Sequence, residues 1–132
     1  MPFYRVSVRR DLLPESQREP FANDVVDIHC GATGAPRSFV HVLITDAAPT
    51  SLPDGQNGSI SGTIRSGRTE EQKTQITTRL RQALANRAGV DAATVSAALR
   101  DIEASFTMEG GALLPEPGSA EEALWKHAGG SP

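Results

Sequence analysis

With 132 residues, a formal net charge of −3 and only 5% aromatic residues, the chain lacks the basic excess that neutralises phosphates and the rings on which bases stack, which excludes nucleic acid as its partner class. Its length and 38% hydrophobic content predict one domain over 1–132 rather than two separate cores. No apolar run reaches membrane-spanning length and the opening residues carry no apolar leader, so no membrane partner is expected and the expected location is the cytoplasm.

In chain order, residues 3–8 (FYRVSV) combine β-branched and aromatic residues as a first strand. After Leu12-Leu13-Pro14 a helix is predicted from Glu15 to Cys30, with Phe21, Val25 and Ile28 on one stripe and Gly31 and Gly34 ending it. Residues 38–46 (SFVHVLITD) form a strand apolar on both faces, which suits an interior place in a sheet. Residues 47–58 are rich in Pro, Gly, Ser and Asn and read as a linker. Residues 59–64 (SISGTI) give a third strand, and Thr69-Glu70-Glu71-Gln72 is a capping-box start for a second helix that buries Ile76, Leu80, Ala83 and Leu84. Gly89 closes that helix and residues 94–102 (TVSAALRDI) return as the fourth strand. The tail from Ser119 through Glu122 to Trp125 again reads as a capped helix, with Trp125 packing on the body or on a neighbouring subunit.

Strand, helix, strand thus occurs twice, and at a shift of 55 positions residues 10–46 align without a gap on 65–101. Arg10 falls on Arg65, Glu15 on Glu70, Gln17 on Gln72, Gly34 on Gly89, Val40 on Val95 and Asp46 on Asp101. The predicted fold is α/β: two tandem fused β-α-β units, about 2–46 and 57–101, followed by a segment 102–132. Parallel strands with right-handed crossovers would give a four-stranded sheet with two helices on one face. The other face is left without a cover, which predicts association through it with closed rotational symmetry.

Several residues are candidates for chemistry. Met1 is readily removed before a small residue, which would leave the secondary amine of Pro2 at the tip of a strand. An α-amino group titrates near roughly 7.7–8.0, and guanidinium charge or burial would lower that toward the range of an effective general base. The repeat-equivalent of Pro2 is Asn57, so each chain offers one such amine. Arg65 and Arg68 precede the capped helix at Thr69, where both guanidinium groups can converge on an anion. His29, at the end of the first helix, either donates to a substrate carboxylate or bonds the last helix carbonyls. Cys30 points about 100° away from it around the helix and reads as packing; a lone cysteine and three scattered histidines predict neither a disulfide nor a metal. Glu109, ahead of Gly110-Gly111, is either a partly buried proton carrier or a loop carboxylate in solvent.

Pro2, the Asp27-Ile28-His29 and Gly31-Ala32-Thr33-Gly34 stretches, Arg65-Ser66-Gly67-Arg68-Thr69, and residues 108–118 (MEGGALLPEPG) together resemble the tautomerase superfamily, and the fused length resembles its cis-3-chloroacrylic acid dehalogenase group. The resemblance implies a cofactor-independent homotrimer acting on a small carboxylate. It casts Pro2 as the acid–base group, His29, Arg65 and Arg68 as holders of the substrate carboxylate, and Glu109 as an activator of water. The pattern also has a tyrosine that shares the water-activating role, and Ala98 stands at the corresponding position. Proton transfer between oxygen and carbon needs no activated water, so the leading expectation is a tautomerase acting on a 2-hydroxy-enoate or enolpyruvate-type substrate with Pro2 as base. The alternatives are a cis-3-haloacrylate dehalogenase or hydratase, with protonated Pro2 as acid and Glu109 directing water, and a non-catalytic oligomeric binding module.

Overall fold

Alternation of side chains builds the centre of the sheet. Strand β1 (Phe3–Arg9) buries Tyr4, Val6 and Val8 and turns Phe3, Arg5 and Arg9 the other way. The computed structural model of the chain describes residues 2–48, 51–109, 111–115 and 119–124. After β1 come α1 (Glu15–Thr33), β2 (His41–Ala47), β3 (Gly58–Arg65), α2 (Glu70–Ala88), β4 (Val95–Ile102) and the two-residue strands β5 (Met108–Glu109) and β6 (Ala112–Leu113). Helix α1 runs three residues past the predicted end. Gly31 lies inside it, in open space, and the helix closes only at Gly34, where φ of 75° suits glycine and the amide returns to the Cys30 carbonyl at 2.8 Å. The α2 capping box forms as expected: Thr69 accepts from the Gln72 amide at 3.1 Å and Gln72 from the Thr69 amide at 2.9 Å.

The sheet order is β2-β1-β3-β4. Within each unit the strands are parallel, and the units join through antiparallel β1 and β3, with Tyr4 opposite Gly62. This is the predicted pair of β-α-β units with one correction. β2 is an edge strand rather than an interior one. Its Val42 and Ile44 are half-buried under the helices while Leu43 points to the open face and stays 42% exposed, so its apolar run reflects one buried side plus a single outward leucine.

Both helices cover the same face. Phe21 and Val25 of α1 and Ile76, Leu80 and Leu84 of α2 pack on Tyr4, Val6, Val8, Ile60 and Ile64. Each such fully buried aliphatic or aromatic side chain contributes about 1.5–3 kcal/mol. The helices are joined at both ends. Arg87 holds the Asp24 carboxylate through two bonds, at 2.8 and 3.1 Å, and Gln72, besides capping α2, donates to the Ala32 carbonyl in the last turn of α1 at 3.1 Å. That second contact fixes the end of α1 beside the start of α2. Residues 120–124 form a short helical turn, with Ser119 Oγ accepting from the Glu122 amide at 3.2 Å, as the cap pattern implies. Trp125 lies outside the described residues. No helix among the described residues is long and apolar enough to cross a membrane.

Gly62 is there for its missing side chain: a Cβ would sit 2.5 and 2.6 Å from two carbons of the Tyr4 ring, which lies across it. Gly62→Ala is therefore expected to destabilise the fold by about 1–3 kcal/mol through overpacking. Urea unfolding measures this, and an unchanged midpoint would contradict the packing of Tyr4 over Gly62.

Candidate active site

Topology gathers four of the five predicted residues. Because β3 runs antiparallel to β1, its last residue, Arg65, ends beside the start of β1, where Pro2 is buried and its carbonyl accepts from the His41 amide at 3.1 Å. The end of α1 brings His29 to the same corner, and the turn into α2 brings Arg68. Pro2, His29, Ala35, Ile64, Arg65 and Arg68 line one cavity of about 10 Å³.

His29 is fully packed. Its Nδ1 lies 2.6 Å from the Tyr4 hydroxyl, and the two rings meet edge to face at 5.6 Å. The sequence offered a helix-capping role for this histidine as an alternative, but the His29 carbonyl, not its ring, serves the helix end, accepting from Thr33 Oγ1 at 2.9 Å. Burial drives the His29 pKa down to about 4, with the Arg68 and Arg65 charges adding to the effect. Burial also pushes the Tyr4 phenol above its ordinary value, aided by the neighbouring Cys30. Near neutral pH both groups are uncharged. The phenol then donates to Nδ1, which leaves the imidazole proton on Nε2.

Arg65 is buried, donating to the Pro115 carbonyl and, at 2.5 Å, to Oε2 of Glu122. Arg68 reaches the same carboxylate oxygen at 3.8 Å. Burial and the Arg65 charge lower the Arg68 pKa, and Glu122 opposes them. The two guanidinium groups thus converge on one carboxylate, as expected of the pair, and the carboxylate comes from the chain's own tail. Glu109 is placed in the β5–β6 hairpin, opposite Ala112; its side chain lies outside the described residues. Ala98 sits on the exposed face of β4, opposite Ser61, away from the helices and the cavity. Cys30 is a half-buried free thiol against the core, as the packing reading required. Among the described residues no group of side chains could hold a metal ion.

Two residues of this corner were missed in the sequence. Tyr4 had a usable signal: it follows Pro2 by two in a strand and so shares its face, and a buried tyrosine needs a partner for its hydroxyl. Glu122 was read only as the last member of a cap. Its amide does bond Ser119, while its carboxylate crosses to residues far away in sequence.

No protein-family profile and no curated protein matches the chain. Among solved structures, the protein N1, described as a member of the cis-3-chloroacrylic acid dehalogenase (cis-CaaD) family, is 31% identical, with 93% of this chain and 89% of that one covered and a TM-score of 0.82. The chain belongs to the cis-3-chloroacrylic acid dehalogenase family. A second match, the native protein Ps01740, is 34% identical over 81% of this chain and 99% of its own, with a TM-score of 0.74. A symmetric trimer of a fused 4-OT protein, 21% identical over 92% of this chain and 98% of its own with a TM-score of 0.76, shares the fold. The cis-CaaD membership places the chain in the tautomerase superfamily, as its motifs implied.

In this cis-CaaD family member the His29 bond has two measurable consequences. Unfolded, a histidine titrates near 6.5; folded, His29 resists protonation down to about 4. Stability should be flat above about pH 6.5 and fall by up to about 3 kcal/mol as pH drops from there to 4, as the unfolded chain alone takes up the proton. Tyr4→Phe removes the donor that favours neutral imidazole, so NMR titration should show a raised His29 pKa and a mixed tautomer; an unchanged tautomer would argue against the Tyr4 bond.

Proposed function

We propose that the chain is a cofactor-independent tautomerase that acts on a 2-hydroxy-enoate or enolpyruvate-type carboxylate, with the amine of Pro2, freed by loss of Met1, as general base. The observation that carries this reading is that Pro2 shares one cavity with His29, Arg65 and Arg68. Pro2 takes the hydroxyl proton and a proton returns to carbon. Arg65 and Arg68 bind the carboxylate and stabilise the charge that develops on the dienolate, and His29 contributes an Nε2–H donor that stays neutral near pH 7. The guanidinium charges also favour the uncharged amine, which supports a base role near neutral pH. No step of this route needs a metal or nucleotide.

A second reading, hydrolytic dehalogenation or hydration of a cis-3-haloacrylate, is favoured by the 31% identity to a cis-CaaD family member. There Pro2 stays protonated and Glu109 directs water. The exposed, outward Ala98 offers this route no second group for activating water, which is why tautomerisation leads. We also propose a homotrimer. The open sheet face carries Phe3 and Leu43 outward, and the fused 4-OT protein of the same fold is a trimer. Sedimentation showing only monomer at working concentration would count against it.

Pro2→Ala should lower kcat/KM by about 10²–10⁴-fold while leaving thermal unfolding unchanged. An active Pro2→Ala protein would sink the mechanism. The two readings separate on the pKa of the Pro2 nitrogen, measured by ¹⁵N NMR after intact mass confirms loss of Met1. A value near or below neutral supports the base, and a value well above it together with halide release supports the dehalogenase.

A further inference from the structure

The cavity lined by Pro2 holds about 10 Å³, at most the space of one water molecule. Beyond the room that loss of Met1 from Pro2 provides, a carboxylate substrate needs the donors of Arg65 and Arg68. Among the described residues the carboxylate that already occupies the two guanidinium groups is that of Glu122, which accepts from Arg65 at 2.5 Å and lies 3.8 Å from Arg68.

Three observations mark this contact as replaceable. First, in the turn over residues 119–124 Glu122 is the one buried residue, while Leu124 of the same turn is 74% exposed. The segment turns its carboxylate inward and its large apolar side chain outward, so charge rather than apolar burial fastens it. Second, Glu122 leaves donor capacity unused. Arg68 Nε is buried with no hydrogen-bond partner among the described residues, although the Arg68 side chain is only 9% exposed. An unpaired buried N–H is costly, and a ligand able to meet it gains what Glu122 does not. Third, the same guanidinium groups line the Pro2 cavity, so the tail carboxylate and an incoming one compete for the same donors.

We infer that Glu122 is an internal carboxylate ligand of the Arg65–Arg68 pair, and that a substrate binds by exchanging its own carboxylate for that of Glu122 while residues 119–124 move aside. This rests on the reading of the pair as the substrate-carboxylate site and adds a residue that sets its affinity and selectivity. Exchange keeps both buried cations paired throughout, whereas opening the site to an uncharged molecule would strand them. The site consequently selects for a carboxylate over an amide of the same shape, with Glu122 as the competitor against which every ligand is measured.

The test uses unreactive probes, propionate and its neutral isostere propionamide, so that binding is read without turnover. By calorimetry Glu122→Gln, which keeps the side-chain shape and the capping amide, should bind propionate about tenfold or more tightly than the unaltered protein, and neither protein should bind propionamide. In the unaltered protein, saturating propionate should speed amide hydrogen exchange across 119–124 and shift the Arg68 Nε–H resonance. Equal or weaker propionate binding by Glu122→Gln, with binding by the unaltered protein intact, would overturn the exchange and leave Glu122 as a support for the arginines. Unchanged exchange across 119–124 at saturation would overturn it equally, whether or not the variant folds. Failure of both proteins to bind propionate would overturn the carboxylate site itself, and the exchange with it.

Discussion

A phenol hydroxyl in an apolar core must find a partner, and the bond that Tyr4 makes to His29 organises what surrounds it. To reach Nδ1 at 2.6 Å the Tyr4 ring lies flat over β3, which demands a residue without a side chain at Gly62. The same bond pins the last turn of α1 against the sheet, so that His29 faces the corner shared by Pro2 and the two arginines. It also settles the proton inventory. A neutral imidazole beside two guanidinium groups adds a donor without adding a third positive charge, which the buried corner would tolerate poorly.

The arginine pair raises the opposite problem. Two cations withdrawn from water need an anion, and in the folded chain the tail supplies it through Glu122. The tail is fastened twice to Arg65, by the Pro115 carbonyl and by Glu122, which ties the last described residues to the end of β3. Among the described residues the corner is therefore closed by the pairing of its charges.

Much of the fold was legible in the sequence because it is written locally. The β-branched and aromatic run of residues 3–8, the Thr69–Gln72 capping box and the stop at Gly89 each depend on neighbours a few positions away, and each appears as read. The repeat supplied the order of elements. What failed was the place of β2 in the sheet: Leu43 made its run look buried on both sides, although strand neighbours are set by how the two units meet. At the site, Pro2, His29, Arg65 and Arg68 were recognisable as types in a pattern. Tyr4 offered only its shared strand face with Pro2 and Glu122 only its place in a cap, while the contacts that give them their roles cross 25 and 57 residues.

The position that matches Pro2 in the second unit is Asn57, and there the repeat has taken another course. Asn57 binds Thr94 through its amide at 2.8 Å and through its side chain at 3.0 Å, and its carbonyl receives the Arg9 amide at 2.9 Å. The corner that in one half sets Pro2 beside His29 and two arginines is a joint in the other. A symmetric assembly of separate short chains must carry every substitution in all its copies, so a change that improves a seam also alters a pocket. In this chain the two halves can drift separately, with the first free to follow the demands of a ligand and the second those of architecture.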